Sequence, residues 1–259
     1  MDVSLNGEMR GAHAVVTGGA SGIGLAVSRR FIALGASVTI LDLKEESRAV
    51  ATEIGADFEC ADVTDEAQIE AIAARLEDSN PPEVLVTSAG VLQRMFPPQD
   101  LSWGEWDRTM AVHQRGTFAC CKSFGARMAK RQSGAIVTVS SVAGIASGPL
   151  HAYGPAKAAV AHLSKCLAAE WGPQGVRVNS VAPGFTMTPA LTQGLDAGVL
   201  SVGNLSDGSV LGRLVRADEI AAAITFLSGP MASAITGVVL PVDAGYLVAG
   251  DWGVYGGLR

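Results

Sequence analysis

Short apolar runs alternate with longer helix-like stretches along the chain. The runs are rich in valine and isoleucine and lie at residues 14–17, 37–41, 84–87, 135–139, 176–181 and 238–242. Runs this short predict buried strands, whereas the stretches between them, such as residues 45–54, have helical patterns. Strands that alternate with helices predict an α/β fold: a Rossmann-like, doubly wound parallel sheet with helices on both faces.

No internal repeat or low-complexity linker interrupts this alternation, so we expect a single domain over residues 1–259. Two segments depart from the rhythm. Residues 186–213 are rich in glycine and weakly periodic, which predicts a substrate lid or binding loop. Residues 246–259 carry Tyr246, Trp252 and Tyr255 among glycines. We expect this tail to dock on the protein or on a neighbouring subunit.

Composition narrows the classes of protein that fit. Hydrophobic residues make up 48% of the 259 residues and charged residues 17%, which is enough for a sizeable core. The net charge of −6 argues against nucleic-acid and anionic-membrane partners. The N-terminus has no signal-peptide pattern, and no apolar run reaches the roughly 18 residues of a membrane span. We therefore expect a cytoplasmic protein. The spacing of its four cysteines predicts buried thiols and no metal site.

A glycine-rich turn follows the first predicted strand and precedes a helix. Its sequence is Thr17-Gly18-Gly19-Ala20-Ser21-Gly22-Ile23-Gly24. Such a turn lets the backbone approach a pyrophosphate, and the helix N-terminus offers amide donors. The spacing differs from G-x-G-x-x-G, so an ordinary tight loop is the alternative.

Asp42, at the end of the second predicted strand, makes this turn more informative. A carboxylate at that place accepts hydrogen bonds from the ribose hydroxyls of adenosine and repels a 2′-phosphate. The pattern therefore predicts NAD as cofactor and disfavours NADP. The alternative is that Asp42 caps the next helix.

A second motif, Tyr153-Gly154-Pro155-Ala156-Lys157, opens an alanine-rich stretch. Proline is tolerated in the first helical turn, so Pro155 places Tyr153 at or just before the start of a helix. Lys157 then shares a face with Tyr153. An ammonium and a helix N-terminus near a phenol favour the phenolate, which is the form that a general base for an alcohol requires.

These motifs occur together, in the order typical of the short-chain dehydrogenase/reductase family, which the chain resembles along nearly its whole length. The matching pieces are residues 17–24, Asp42, Asp62-Val63, Ser88-Ala89-Gly90, Ser140-Ser141, Tyr153 with Lys157, residues 179–184 ending in Pro183-Gly184, and Thr188.

The resemblance implies a catalytic role for three of these residues. Tyr153 would be the acid/base, Lys157 would hold the nicotinamide ribose and lower the pKa of the tyrosine, and Ser141 would bond the reacting oxygen. Ser140 remains a minor candidate for the catalytic serine.

The other matching positions would bind the cofactor. They are Gly18, Ser21, Gly22, Ile23 and Gly24 at the phosphates, Asp42 at the ribose, Asp62 and Val63 at the adenine, Ala89 and Gly90 along the cofactor, and Pro183, Gly184 and Thr188 near the nicotinamide. The family also implies a homotetramer.

His113 departs from the family, which usually has an asparagine there that holds a proton-relaying water. Histidine could relay protons itself, since it titrates near ~6.5. Alternatively it is a neutral ring bonded to a main-chain carbonyl. Smaller departures are Thr87 in place of Asn and Ala244 in place of Gly.

Hydride transfer between NAD(H) and a small secondary alcohol or ketone is the function that these residues favour. Gln93 and His151 among the candidate pocket residues could bond extra hydroxyls, which favours a polyol or sugar-derived substrate. The alternatives are a bulkier ketone such as a hydroxysteroid, and a catalytically weak NAD-binding regulatory protein.

Overall fold

The computed structural model describes residues 9–189, 191, 192, 202–250, 252 and 257. Within them the strands are β1 (His13–Thr17), β2 (Ser37–Asp42), β3 (Asp57–Cys60), β4 (Val84–Thr87), β5 (Gly134–Val139), β6 (Val176–Pro183), β7 (Thr186–Met187), β8 (Val215–Arg216) and β9 (Val239–Val242). The helices are α1 (Gly22–Ala33), α2 (Arg48–Ile54), α3 (Glu66–Ser79), α4 (Trp103–Met110), α5 (Thr117–Arg131), α6 (Tyr153–Trp171), α7 (Val202–Asp207), α8 (Ala217–Ser228) and α9 (Tyr246–Ala249).

Seven strands form one parallel sheet in the order β3-β2-β1-β4-β5-β6-β9. The chain reverses its direction of winding between β1 and β4. In sheets of this kind, a ligand crevice opens at that point, outside the carboxyl ends of the strands. The predicted α/β, doubly wound architecture is confirmed. A single domain over residues 1–259 stays a prediction.

Alternate residues of the central strands face two separate apolar layers. Val16 packs in one layer with α1 and α8, whereas its neighbour Val15 packs in the other with α3 and α5. Helices therefore cover both faces of the sheet. Because both faces are buried, the strands are almost continuously apolar, and this explains why short apolar runs located them.

Strand β3 was missed by the hydrophobic pattern. It reads Asp-Phe-Glu-Cys and lies at the sheet edge, where its residues are exposed or only partly buried. An edge strand needs no continuous apolar run, so its pairing with β2 left no such signal in the sequence. The short β7–β8 pair was missed for a related reason, because each strand has only two residues.

The segment predicted as a lid begins with β7 and contains α7. Residue 190 and residues 193–201 of it lie outside the described residues. The predicted tail begins with α9, and the ring of Tyr246 packs edge-to-face on Phe185, with centroids 5.2 Å apart. The start of the tail therefore docks on its own chain. Tyr255 and most of the remaining tail lie outside the described residues.

The cysteines only partly match the expectation of buried thiols. Cys120 and Cys121 are buried in the layer formed by α3 and α5, whereas Cys60 and Cys166 are exposed. The expectation was wrong for the last two, since Cys60 ends an edge strand and Cys166 faces outward from α6.

Across the described part of the chain, no helix has the length and apolarity to cross a bilayer, and no cluster of side chains could hold a metal ion.

Candidate active site

The glycine turn packs against the end of β4. The Gly18 N–H donates to the carbonyl of Leu41 over 2.8 Å, and Gly18 has a φ of +63°. A Cβ on Gly18 would lie 2.8 Å from the Ala89 Cα. Gly24 is tighter still, since a Cβ there would lie 2.2 Å from the Gly18 carbonyl oxygen. The turn and the end of β4 therefore meet backbone to backbone.

The first turn of α1 offers backbone donors to a ligand. Ser21 is its N-cap, in an extended conformation, and its side chain makes no capping hydrogen bond. The amide groups of Gly22, Ile23 and Gly24 belong to the set that an α-helix cannot satisfy internally. Thr188 adjoins this turn, with its Cγ2 3.5 Å from where a Cβ of Gly22 would lie. These donors suit the phosphates of a dinucleotide.

Asp42 faces the same turn from the end of β2. Its Oδ2 accepts from the Ala20 N–H over 3.3 Å. The one-turn helix that follows β2 has Lys44 as its N-cap, so Asp42 does not cap it. The alternative that Asp42 is a helix cap is therefore wrong, and its carboxylate lies beside the predicted phosphate turn.

The two residues expected to bind the adenine make contacts with other residues of the protein. The Asp62 carboxylate accepts from the N–H and the hydroxyl of Thr64, over 2.8 and 2.7 Å. The Val63 side chain is buried and packs against Gly116, where a Cβ would lie 2.7 Å from Val63 Cγ2. Both residues follow β3, at the carboxyl ends of the parallel strands, where the glycine turn also lies.

The Ala89-Gly90 segment is fixed from β1 and from the helix behind it. The Thr17 hydroxyl oxygen accepts from the N–H groups of Ser88 and Ala89, both over 3.1 Å. On the other side, a Cβ on Gly90 would lie 2.7 Å from Cε1 of His113. The ring of His113 therefore lies directly against the backbone that would line the cofactor.

The end of β6 forms the far wall of the crevice. Pro183 is its last residue, and the Gly184 N–H donates to the Val242 carbonyl over 3.0 Å. The Thr188 hydroxyl accepts from the Leu191 N–H over 3.3 Å. The chain thus runs from the end of β6 to Thr188, which lies next to the glycine turn.

Tyr153 begins α6, as the position of Pro155 predicted, and Lys157 lies one turn later. The Lys157 Nζ lies 5.5 Å from the centroid of the Tyr153 ring. The same Nζ donates to the Val139 carbonyl over 2.7 Å, and only 6% of the residue is exposed. The ammonium is therefore held beside the phenol by the end of β5.

The two adjacent serines have different roles. The Ser140 hydroxyl donates to the Lys157 carbonyl over 2.7 Å and is buried. Ser141 caps the short helical turn after β5, where its hydroxyl oxygen accepts from the Ala143 N–H over 3.1 Å. Ser141 also lies close enough to the Tyr153 phenol to lower its pKa. Ser141 is thus the serine that faces the tyrosine.

Burial acts on both ionisable groups of the Tyr153–Lys157 pair. Removal from water raises the pKa of Tyr153, whereas its hydrogen bond with Ser141 lowers it. Removal from water lowers the pKa of Lys157 to about 7. Burial disfavours the charged form of each group, so the pKa of Tyr153 moves up from 10.0, the pKa of Lys157 moves down from 10.5, and the two titrations move apart.

His113 lies in a π-helical segment, Ala111–Gly116, between α4 and α5. Its Nε2 is 2.8 Å from the Val91 carbonyl oxygen and 3.2 Å from the Val91 nitrogen, while its Nδ1 is buried with no partner among the described residues. The shorter contact favours the proton on Nε2, because the other tautomer would leave a buried donor unpaired. Burial, and secondarily the charge of Lys157, lowers the pKa of His113 to about 3. These contacts and the lowered pKa favour the neutral ring bonded to a main-chain carbonyl.

Sequence reasoning missed how Gln93 is used. It was expected to face substrate hydroxyls, but its Oε1 accepts from the N–H groups of Ala152 and Tyr153, over 3.0 and 2.7 Å. These partners are 59 and 60 residues away along the chain. No local pattern could have revealed the contact.

Known proteins are similar to this chain over most of its length. A family model described as Enoyl-(Acyl carrier protein) reductase matches residues 18–247. The chain is 38% identical to a galactitol 2-dehydrogenase from Rhizobium johnstonii, over 91% of this chain and 95% of that one. It is 37% identical to a D-threitol dehydrogenase from Mycolicibacterium smegmatis, over 96% and 97%.

Solved structures agree on the fold and differ in their described activities. A structure described as ribose-5-phosphate isomerase from Brucella melitensis 16M superimposes with a TM-score of 0.95 at 51% identity, covering 98% of this chain and 99% of that one. Another, ElxO with NADP bound, has a TM-score of 0.87 at 30% identity, covering 92% and 99%. The family match and these relatives, together with the glycine turn and the Ser141–Tyr153–Lys157 arrangement, confirm the resemblance seen in the sequence: this chain belongs to the short-chain dehydrogenase/reductase family of nicotinamide-dependent oxidoreductases.

Proposed function

We propose that this enzyme oxidises a secondary hydroxyl of a polyol or sugar-derived substrate with NAD. The observation that carries the proposal is the position of Tyr153, which contacts Ser141 and lies beside the Lys157 ammonium. The relatives described as galactitol and D-threitol dehydrogenases support a polyol as the substrate class.

In the proposed mechanism, the substrate hydroxyl binds between Ser141 and Tyr153. Bound NAD supplies the acceptor for the carbinol hydride. Ser141 orients the reacting oxygen, and the Tyr153 phenolate accepts its proton. Lys157 stabilises the phenolate electrostatically, since its Nζ lies 5.5 Å from the ring centroid. In the reverse direction, the Tyr153 phenol donates the proton to the carbonyl oxygen.

The preference for NAD over NADP rests on Asp42. Its carboxylate lies at the end of β2, beside the Ala20 N–H of the glycine turn. In that position it would accept from the ribose hydroxyls and repel a 2′-phosphate. Lys44, two residues later, is exposed, and it forms no ion pair with this carboxylate among the described residues.

We further propose a cytoplasmic homotetramer. Trp103 on α4 is 78% exposed, and Phe118 on α5 is also exposed, so both side chains are available to a subunit interface. Light scattering during size-exclusion chromatography would measure the mass. A mass of one subunit at micromolar concentration would contradict the tetramer.

The test of the function is NADH formation by purified protein with a panel of polyols, simple secondary alcohols and hydroxysteroids, repeated with NADP. We expect polyol turnover with NAD. Tyr153→Phe should lower kcat by roughly 1,000-fold, because it removes the proton acceptor, and should leave the Kd for NADH within about twofold of the wild type. Tight NADH binding with no turnover of any alcohol would instead support the NAD-binding regulatory protein. Turnover of hydroxysteroids alone would support the bulkier substrate.

Isomerisation of a sugar phosphate is a second candidate, favoured by the 51% identity to the Brucella structure. The crevice argues for hydride transfer, because such an isomerisation needs no dinucleotide and would leave Asp42 and the glycine turn without a role. Ribose 5-phosphate incubated with the enzyme, without added nicotinamide, separates the two candidates. Formation of a ketose phosphate would establish the isomerase.

A further inference from the structure

The start of α6 has backbone N–H donors that find no hydrogen-bond acceptor within the helix. The N-cap is Ala152, which has no side chain able to accept a hydrogen bond. The Gly154 N–H donates to the Leu150 carbonyl, and Pro155 has no N–H. The N–H groups of Ala152 and Tyr153 are left over, at the residue that carries the proposed acid/base.

Gln93 supplies the acceptor for both. Its Oε1 accepts from the Tyr153 N–H over 2.7 Å and from the Ala152 N–H over 3.0 Å. Gln93 is only 8% exposed, so these bonds form away from water. One buried carboxamide thus caps the catalytic helix from a loop that follows β4. Removing such an acceptor would leave two buried donors unpaired.

The loop that carries Gln93 is itself held at two further points. His113 bonds the Val91 carbonyl, and Glu105 accepts from the Arg94 N–H over 2.7 Å. The Arg94 guanidinium also pairs with Glu105, over 2.9 Å. Residues 91–94 are therefore fixed to the helical segments behind them. A loop held in this way can fix the position of the start of α6 through Gln93.

We propose that Gln93 is a positioning residue, which fixes the Tyr153 backbone relative to the loop lining the nicotinamide end of the crevice. The proposal rests on Tyr153 as the acid/base of the proposed function. The phenol extends from the backbone unit whose N–H Gln93 binds. A displacement of about 1 Å in a reacting group can cost about 100-fold in rate, so loss of the cap should appear in kcat.

A direct role in binding substrate is the competing explanation. The Oε1 of Gln93 is already occupied by two donors, and its Nε2 donates to the Arg94 carbonyl over 3.3 Å. The carboxamide is therefore used within the protein. The two explanations differ in their kinetics, because a lost substrate contact raises KM whereas a misplaced base lowers kcat.

The experiment compares three variants with the wild type. Gln93→Leu removes the acceptor, Gln93→Glu keeps one, and Gln99→Leu makes the same chemical change at an exposed site in the same connection. We expect Gln93→Leu to lower kcat about 100-fold, with the Kd for NADH unchanged within about twofold. Gln99→Leu should match the wild type.

Gln93→Glu gives the sharper result. Its carboxylate can accept from the same two N–H groups, so the plateau of kcat at high pH should recover to within about threefold of the wild type. The added negative charge near the phenol should shift the kcat–pH profile of this variant to higher pH. If Gln93→Leu does not fold, this rescue with an alkaline shift still tests the proposal.

Two outcomes would overturn the proposal. One is a raised KM for polyols in both Gln93 variants with kcat and its pH profile unchanged, since that is the behaviour of a substrate ligand. The other comes from hydrogen–deuterium exchange at the amides of Ala152 and Tyr153. These amides should exchange faster in Gln93→Leu than in Gln99→Leu, and equal rates would show that no cap was lost. The exchange measurement remains informative if the wild type oxidises no alcohol, so failure of the proposed function is distinguishable from failure of the cap.

Discussion

The two ends of the crevice are built differently. At the nucleotide end, two short motifs, the glycine turn and the Ser88-Ala89-Gly90 segment after β4, meet through backbone atoms. At the catalytic end, side chains from distant parts of the chain fix the geometry. Gln93 reaches the start of α6, and His113 in the π-helical segment binds Val91. Lys157 is held by the end of β5.

This difference affects how each end should respond to substitution. A backbone contact leaves no room for an added atom, whereas a side-chain contact can be replaced by another group of similar shape and bonding. We therefore expect the nucleotide end to be damaged by one extra methyl group. We expect the catalytic end to be damaged chiefly by loss of a hydrogen-bonding partner.

The largest effect should come from Gly24→Ala. The new Cβ would lie 2.2 Å from the Gly18 carbonyl oxygen, so the turn must open. Opening moves the amide donors of α1 away from the phosphates, and affinity for NADH should fall by about 100-fold or more, which corresponds to about 2.7 kcal/mol. Fluorescence titration of NADH with the variant would measure this loss.

Gly104→Ala is the matched control for that substitution. Gly104 lies in α4, and an added Cβ would meet nothing within 4 Å. Alanine is a better helix former than glycine, so this variant should be about 0.5–1 kcal/mol more stable and should bind NADH normally. Normal NADH affinity in Gly24→Ala would mean that the nucleotide end tolerates change, contrary to the comparison.

The same contrast explains how far the sequence alone could go. The glycine turn, Asp42 and the Tyr153–Lys157 pair could be predicted because each is a local pattern whose spacing fixes its geometry. Strand β3 could not be, because an edge strand needs no apolar run. The contact of Gln93 with Tyr153 spans 60 residues, so it exists only after the sheet has brought β4 and β5 together. The sequence already favoured Ser141 over Ser140, and the structure adds a reason, because the Ser140 hydroxyl is bonded to the Lys157 carbonyl.

A smaller effect is expected from the protonation of His113. In the folded protein the pKa of His113 is lowered to about 3, whereas an unfolded histidine titrates near 6.5. Below pH 6.5 the unfolded chain binds a proton that the folded protein excludes, so stability falls as the pH falls. At pH 5 this one group should cost about 2 kcal/mol of the free energy of unfolding relative to pH 7.5.

His113→Asn should remove this component of the pH dependence. Urea unfolding of the variant at pH 5 and pH 7.5 should show a drop smaller than that of the wild type by about 2 kcal/mol. His162→Asn is the control, since His162 is exposed on α6. A kcat–pH profile that loses a group near pH 6–7 in His113→Asn would contradict the neutral ring and support a proton relay through this residue.

The smallest effect concerns the backbone between the lid segment and the tail. Ala244 has a φ of +53°, and its carbonyl accepts from the Leu211 N–H over 3.0 Å, which joins the end of the lid segment to the start of the tail. An alanine in this left-handed conformation is strained by about 1 kcal/mol relative to glycine. Ala244→Gly should therefore raise Tm by about 2–4 °C. Gln132→Gly relieves the same kind of strain at a φ of +57° and serves as the comparison. Gln132 is the C-cap of α5, just before β5 begins. If calorimetry shows a gain for Gln132→Gly and none for Ala244→Gly, the contacts of Ala244 offset its strain, and the connection between the lid segment and the tail depends on local backbone fit as the nucleotide end does.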